Sequence, residues 1–129
     1  LLVENNALNR EISRELLENQ GILVEEAEDG EAAVEIVRNS TPGYYDMVLM
    51  DIQMPKMDDY EATRQIRSLT DSALAQIPIV AVTANAFEED KQEAREVGMN
   101  GHIAKPISVR QLREQMAHCM KNTVNNTEE

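Results

Sequence analysis

Tryptophan is absent from this 129-residue sequence, and aromatic residues make up only 3% of it. The interior must therefore be built from Leu, Ile, Val, Met and Ala. The apolar set as a whole reaches 42%, enough for a hydrophobic core in a single domain. Cysteine is nearly absent as well. Cys119 stands alone, which excludes an internal disulfide and fits a reducing compartment. No apolar run approaches membrane-spanning length and no signal peptide is visible, so a cytoplasmic location is expected. Clusters of Lys and Arg are missing too: 24 acids against 12 bases give a formal net charge of -12. Such a surface repels nucleic acid and anionic membranes, and neither is expected as a partner. The chain starts at Leu1, inside an apolar run and without Met, which reads as an excised domain short of a few strand residues.

What is present is an alternation of short apolar runs with helical periodicity, repeated five times. Leu1 to Val3 forms the first run. Leu8, Ile12 and Leu16, with Leu17 beside them, then predict an amphipathic helix ending near Gly21. "ILVEEA" (22–27) is a mixed-polarity strand suited to a sheet edge. Gly30 opens a second helix with Ala33, Ile36 and Val37 inward, closed by "STPG" (40–43). "YDMVLM" (45–50) has the near-continuous apolar character of a strand buried on both faces.

A third helix is expected from about Asp58, carrying Ala62, Ile66 and Leu69. "IPIVAV" (77–82) is another buried strand, with Pro78 near its start. A fourth helix spans about Ala86 to Val97 and is stopped by Gly98, and "HIA" (102–104) is a short last strand. Ser108 is placed to cap a final helix with Val109, Leu112, Met116 and Met120 inward. The domain is expected to span 1–121, and "NTVNNTEE" (122–129), without apolar period, to be a frayed tail. Repeated βα units imply a parallel sheet with helices on both faces. In such sheets ligands bind beyond the carboxyl ends of the strands.

Read together, those strand ends carry Glu4 and Asn5, Asp51, Thr83, and Lys105 with Pro106. Any one polar residue at a strand end is ordinary. Acids, a hydroxyl and a lysine converging on one crevice are suited to phosphoryl transfer onto a carboxylate. Asp51 would be the nucleophile and needs no general base, being already ionised. Two acids and a carbonyl suit Mg²⁺, a hard cation that takes oxygen ligands and keeps several waters. Lys105 and the Thr83 hydroxyl would bind phosphoryl oxygens, with backbone N–H groups after the third and fourth strands.

The motifs "LLVENNALNREI" (1–12), "VLMDIQMPKMDDYEATRQIR" (48–67) and "IPIVAVTANAFEEDKQEAREVGMNGHIAKPI" (77–107) resemble the receiver domain of two-component response regulators over essentially the whole chain. The wording "MDIQMP", "YEATR", "TANAF" and "GMN" is most similar to receivers of hybrid sensor histidine kinases. The resemblance implies a flavodoxin-like α/β fold with strand order 2-1-3-4-5. It implies that Asp51 accepts the phosphoryl group and that Glu4, Asn5, Asp51 and the Gln53 carbonyl hold Mg²⁺. Ile52, Gln53 and Ala84 would supply phosphate-binding backbone, Thr83 the switch hydroxyl and Lys105 the charge, the Lys105–Pro106 bond being cis. The implied partner is a histidine kinase or histidine phosphotransfer protein carrying a phosphohistidine. The isolated domain would act as a self-catalysed acceptor rather than as an enzyme. Its parent would be a hybrid kinase, of which it is the cytoplasmic part.

Three positions depart from that family's pattern. Asn5 stands where a directly ligating carboxylate is usual, which should weaken Mg²⁺ binding by at least roughly one or two kcal/mol. Asp59 replaces the glycine that follows "MD", at some cost if the position has positive φ. His102, three residues before Lys105, occupies the place of the rotating switch aromatic and brings a charge that changes near neutral pH. A partly exposed histidine on an end strand is the equal alternative.

Other features read as structural. Met47, Met50, Met54 and Met57 are packing residues, Cys119 is buried on the last helix, and the acids between Glu25 and Glu31 form a solvated surface. Three further functions compete with the phospho-acceptor. A degenerate receiver that only docks partners would explain Asn5. A haloacid-dehalogenase-type enzyme would need an acid two residues after Asp51, where Gln53 stands. A flavin carrier would need aromatics, and the chain has only Phe87 and three tyrosines.

Overall fold

The computed structural model describes residues 1–52, 57–83, 88–104 and 107–128. The strands are β1 (Leu2–Val3), β2 (Glu26–Ala27), β3 (Val48–Ile52), β4 (Ile79–Thr83) and β5 (Gly101–Ala104). The helices are α1 (Ala7–Asn19), α2 (Gly30–Arg38), α3 (Met57–Arg67), α4 (Ser72–Ala75), α5 (Glu88–Val97) and α6 (Val109–Glu128). All pairings are parallel, in the order β2-β1-β3-β4-β5. Both the fold class and the strand order expected from the sequence are present.

Two cores lie on opposite faces of this sheet, and strand alternation assigns residues to them. Val48, Met50, Ile79 and Ala81 join Val34, Val37 and Ile66 on one face. Leu49, Val80 and Val82 join Leu17, Ile103 and Leu112 on the other. Every residue of β4 is buried, as a central parallel strand with covered faces requires. Each Val, Leu or Ile side chain so enclosed contributes roughly 1.5–3 kcal/mol.

Helix starts follow side-chain chemistry. The Asn6 Oδ1 accepts from the Asn9 N–H at 3.0 Å, Asp29 accepts from the Ala32 N–H at 2.8 Å, and Ser108 Oγ accepts from the Gln111 N–H at 3.1 Å. Each satisfies an N–H that the first turn leaves without a helical partner. Asp29, counted above among the surface acids, is thus the cap of α2.

Four features differ from the sequence reading or extend it. Leu8 and Ile12 are exposed (64% and 57%), because the buried stripe of α1 runs through Ser13 and Leu17. The predicted strand 22–27 is paired only at Glu26–Ala27, because β1 offers only Leu2 and Val3 as partners. The helix α4 was not anticipated; Asp71 accepts from the Ala73 and Leu74 N–H groups and starts it. Finally, α6 runs from Val109 to Glu128, and no Pro or Gly interrupts it. Asp59 lies inside α3, and among the described residues no non-glycine has positive φ, so its place in the chain carries no such strain.

Candidate functional site

The strand order reverses between β1 and β3, and the register sets which residues share the carboxyl edge there. Val3 pairs with Met50, so Glu4 follows directly beside the position of Asp51. Asp51 pairs with Val82, which pairs with Ile103. One step further, Ile52 pairs with Thr83 and Thr83 with Ala104. Glu4, Asp51 and Thr83, all singled out in the sequence, therefore lie at the carboxyl edge of three adjacent strands. Lys105 would follow Ala104, but Lys105, Pro106, Gln53, Ala84 and Met54 lie outside the described residues.

Glu4 is fully buried. Its Oε1 accepts from the Asn6 N–H at 3.0 Å, its own N–H donates to the Ala27 carbonyl at 3.1 Å, and its carbonyl accepts from Arg10 Nη1 at 2.8 Å. Arg10 also faces Glu26 at 3.8 Å. Backbone and side chain of Glu4 are thus fixed on three sides where β1 turns into α1. Asn5, by contrast, is exposed beside it. A buried carboxylate demands cationic or N–H partners. The donors that Glu4, Asn5 and Asp51 offer are all oxygen, which suits a hard cation such as Mg²⁺. Thr83 is buried and His102 half-buried on β5, level with Ala81.

A second polar centre, not foreseen from the sequence, anchors the other end of β4. The Arg67 guanidinium donates to the carbonyls of Gly98 (2.9 Å), Ala75 (2.7 Å) and Ile77 (2.7 Å) and to Asn100 Oδ1 (2.7 Å). Asn100 Oδ1 also accepts from the Ile79 N–H at 2.8 Å. Burial lowers the pKa of Arg67. Gly98 has φ of +111°, and a Cβ there would lie 2.9 Å from Arg67 Cγ, so both conformation and space call for glycine. The only sequence signal was Gly98 as a helix stop.

The family profile of the response regulator receiver domain matches residues 1–117. The chain belongs to that family. This places it among the receivers of two-component phosphorelay signalling. It is 43% identical over 125 residues to hybrid signal transduction histidine kinase B of Dictyostelium discoideum, covering 90% of this chain and 6% of that protein. The chain thus spans a small part of the relative it matches. Among solved structures it resembles the receiver domain of a sensor histidine kinase from Pseudomonas aeruginosa PAO1, which has a magnesium ion coordinated in its active-site cleft. That likeness has a TM-score of 0.77 at 33% identity and covers 93% of this chain and 94% of that one. It also resembles a chain in the Saccharomyces cerevisiae complex of the phosphotransfer protein Ypd1 with the Ssk1 receiver domain. There the TM-score is 0.73 at 28% identity, with 93% and 88% covered. Among the described residues no helix is long and apolar enough to cross a membrane.

Proposed function

We propose that this receiver accepts a phosphoryl group on Asp51 from a phosphohistidine in a Mg²⁺-dependent reaction. The observation that carries this reading is the register: Asp51 is the next-to-last residue of β3, between the carboxyl ends of β1 and β4, beside Glu4 and one step below Thr83. A carboxylate oxygen of Asp51 forms the new O–P bond while the P–N bond to the donor imidazole breaks. The bonding pair stays on the leaving nitrogen, and the imidazole takes up a proton from solvent. The product is an aspartyl phosphate.

Glu4, Asn5, Asp51 and the Gln53 carbonyl would hold Mg²⁺, which supplies charge to offset the phosphoryl oxygens. Lys105 adds a positive charge, and the Thr83 hydroxyl and the backbone at Ile52, Gln53 and Ala84 donate hydrogen bonds. Thr83 and His102 would carry the response to the output face. The donor is a histidine kinase or phosphotransfer protein, in keeping with the Ypd1–Ssk1 neighbour, and the parent a hybrid kinase with this domain in the cytoplasm. Transfer of label from a phosphorylated histidine phosphotransfer protein to this chain, lost in Asp51→Asn, is the expected result. Transfer that persists in Asp51→Asn would move the acceptor elsewhere.

A further inference from the structure

The Arg67 centre encloses a dipeptide with chemistry of its own. Asn100 and Gly101 stand where the chain enters β5. An asparagine followed by glycine is the pairing most open to intramolecular attack, because no Cβ hinders the glycine nitrogen on its way to the asparagine Cγ. Here the side chain is committed elsewhere. Asn100 Oδ1 accepts from Arg67 Nη2 at 2.7 Å and from the Ile79 N–H at 2.8 Å, and the Asn100 N–H donates to the Ile79 carbonyl at 2.7 Å. Side chain and main chain of Asn100 are therefore both bonded across to β4. Gly101 is fixed as well, paired with Val80 and covered by Gln115: a Cβ there would lie 2.2 Å from Gln115 Oε1. Asn100 itself is exposed, so solvent reaches it as soon as those bonds open.

We propose that Asn100–Gly101 is a deamidation site that the Arg67 fork holds closed, so that release of the fork, rather than unfolding of the core, opens it to modification. In the reaction the Gly101 nitrogen gives up its proton to solvent base and forms a bond to Asn100 Cγ. The bond from Cγ to the side-chain nitrogen breaks, and that nitrogen leaves as ammonia, with the bonding pair and a proton from solvent. The product is a five-membered succinimide. Water then opens the ring at either carbonyl, leaving an aspartate or an isoaspartate at position 100. Two features place the control at the fork. Of the two donors to Asn100 Oδ1, the guanidinium is charged and makes the stronger bond. Arg67 is in turn held by the carbonyls of Ala75, Ile77 and Gly98, so it cannot follow Asn100 out of place. Asp29–Gly30 gives a contrast within the same chain, since its side chain is held by the Ala32 N–H at 2.8 Å and has no part in the fork.

The test follows the peptide that contains Asn100 by mass, and its isoaspartate by enzymatic methylation, during incubation at mildly alkaline pH. The samples are the folded parent, the parent in urea, Arg67→Met, and Val34→Ala, a core variant outside this network. Deamidation should be at least about tenfold faster in urea than in the folded parent. Folded Arg67→Met should show a gain of the same order, because losing a charge-assisted bond raises the open population about that much. Val34→Ala should stay near the parent rate, and Asp29–Gly30 should not respond to Arg67→Met. If Arg67→Met does not fold, Arg67→Lys takes its place, with a smaller gain in the same direction. Equal rates in the folded and urea-treated parent, no gain in the Arg67 variant, or an equal gain in Val34→Ala would overturn the proposal.

Discussion

Asn6 holds Glu4 and the start of α1 at once. Its N–H donates to Glu4 Oε1 at 3.0 Å, while its Oδ1 accepts from the Asn9 N–H at 3.0 Å. The residue that caps the helix also positions the buried carboxylate at the end of β1. Asn6→Ala keeps the N–H and loses the cap, so it should cost about 1 kcal/mol of stability. Urea unfolding measures this, and an unchanged midpoint would show that the cap contributes nothing.

Asn5→Asp should tighten Mg²⁺ binding at least about tenfold, since an exposed amide beside Glu4 becomes a charged oxygen ligand. Titration calorimetry with MgCl₂ reads this directly. Equal affinities for the two chains would mean that position 5 does not face the metal.

Arg67→Met should destabilise the chain by about 2–4 kcal/mol, because three carbonyls and the Asn100 amide lose their shared donor. Arg67→Lys should recover only part, since one ammonium cannot reach all four acceptors. Guanidinium unfolding of the three chains tests the order. A Lys variant as stable as the parent would show that charge, not the fork geometry, is what matters.

The Leu1 amino group gives a pH dependence with a definite sign. Its pKa falls from 8.0 to about 6 on folding. Between those values the unfolded chain binds the proton and the folded chain does not, so stability rises with pH through this window. The gain is on the order of 2 kcal/mol, present above pH 8 and lost as pH falls through 6. Relative to an N-terminally acetylated chain, the free chain should therefore lose Tm on going from pH 8.5 to 5.5. Parallel Tm profiles for the two chains would contradict this.

Much of the fold was legible because β3 and β4 are apolar on both faces and the helices between them are periodic. Register carried the site: once Asp51 and Thr83 are strand ends, their adjacency follows from strand order. What sequence could not supply was rotation and partnership. Leu8, Ile12 and Leu16 have helical spacing, yet α1 buries Ser13 and Leu17, because the packing surface of β1 and α6 decides which stripe turns inward. β2 shortened because strand pairing needs two partners. Arg67 was missed because its acceptors come from Ala75, Ile77, Gly98 and Asn100, which no local pattern links to it.

The central claim is that Asp51 is a phospho-acceptor. The direct measurement is intact mass after incubation with a small phosphodonor, such as acetyl phosphate, and Mg²⁺. The expected result is a single phosphoryl adduct that requires Mg²⁺, is absent in Asp51→Ala, and forms faster in Asn5→Asp. No adduct at any Mg²⁺ concentration, or an adduct that survives in Asp51→Ala, would contradict the account.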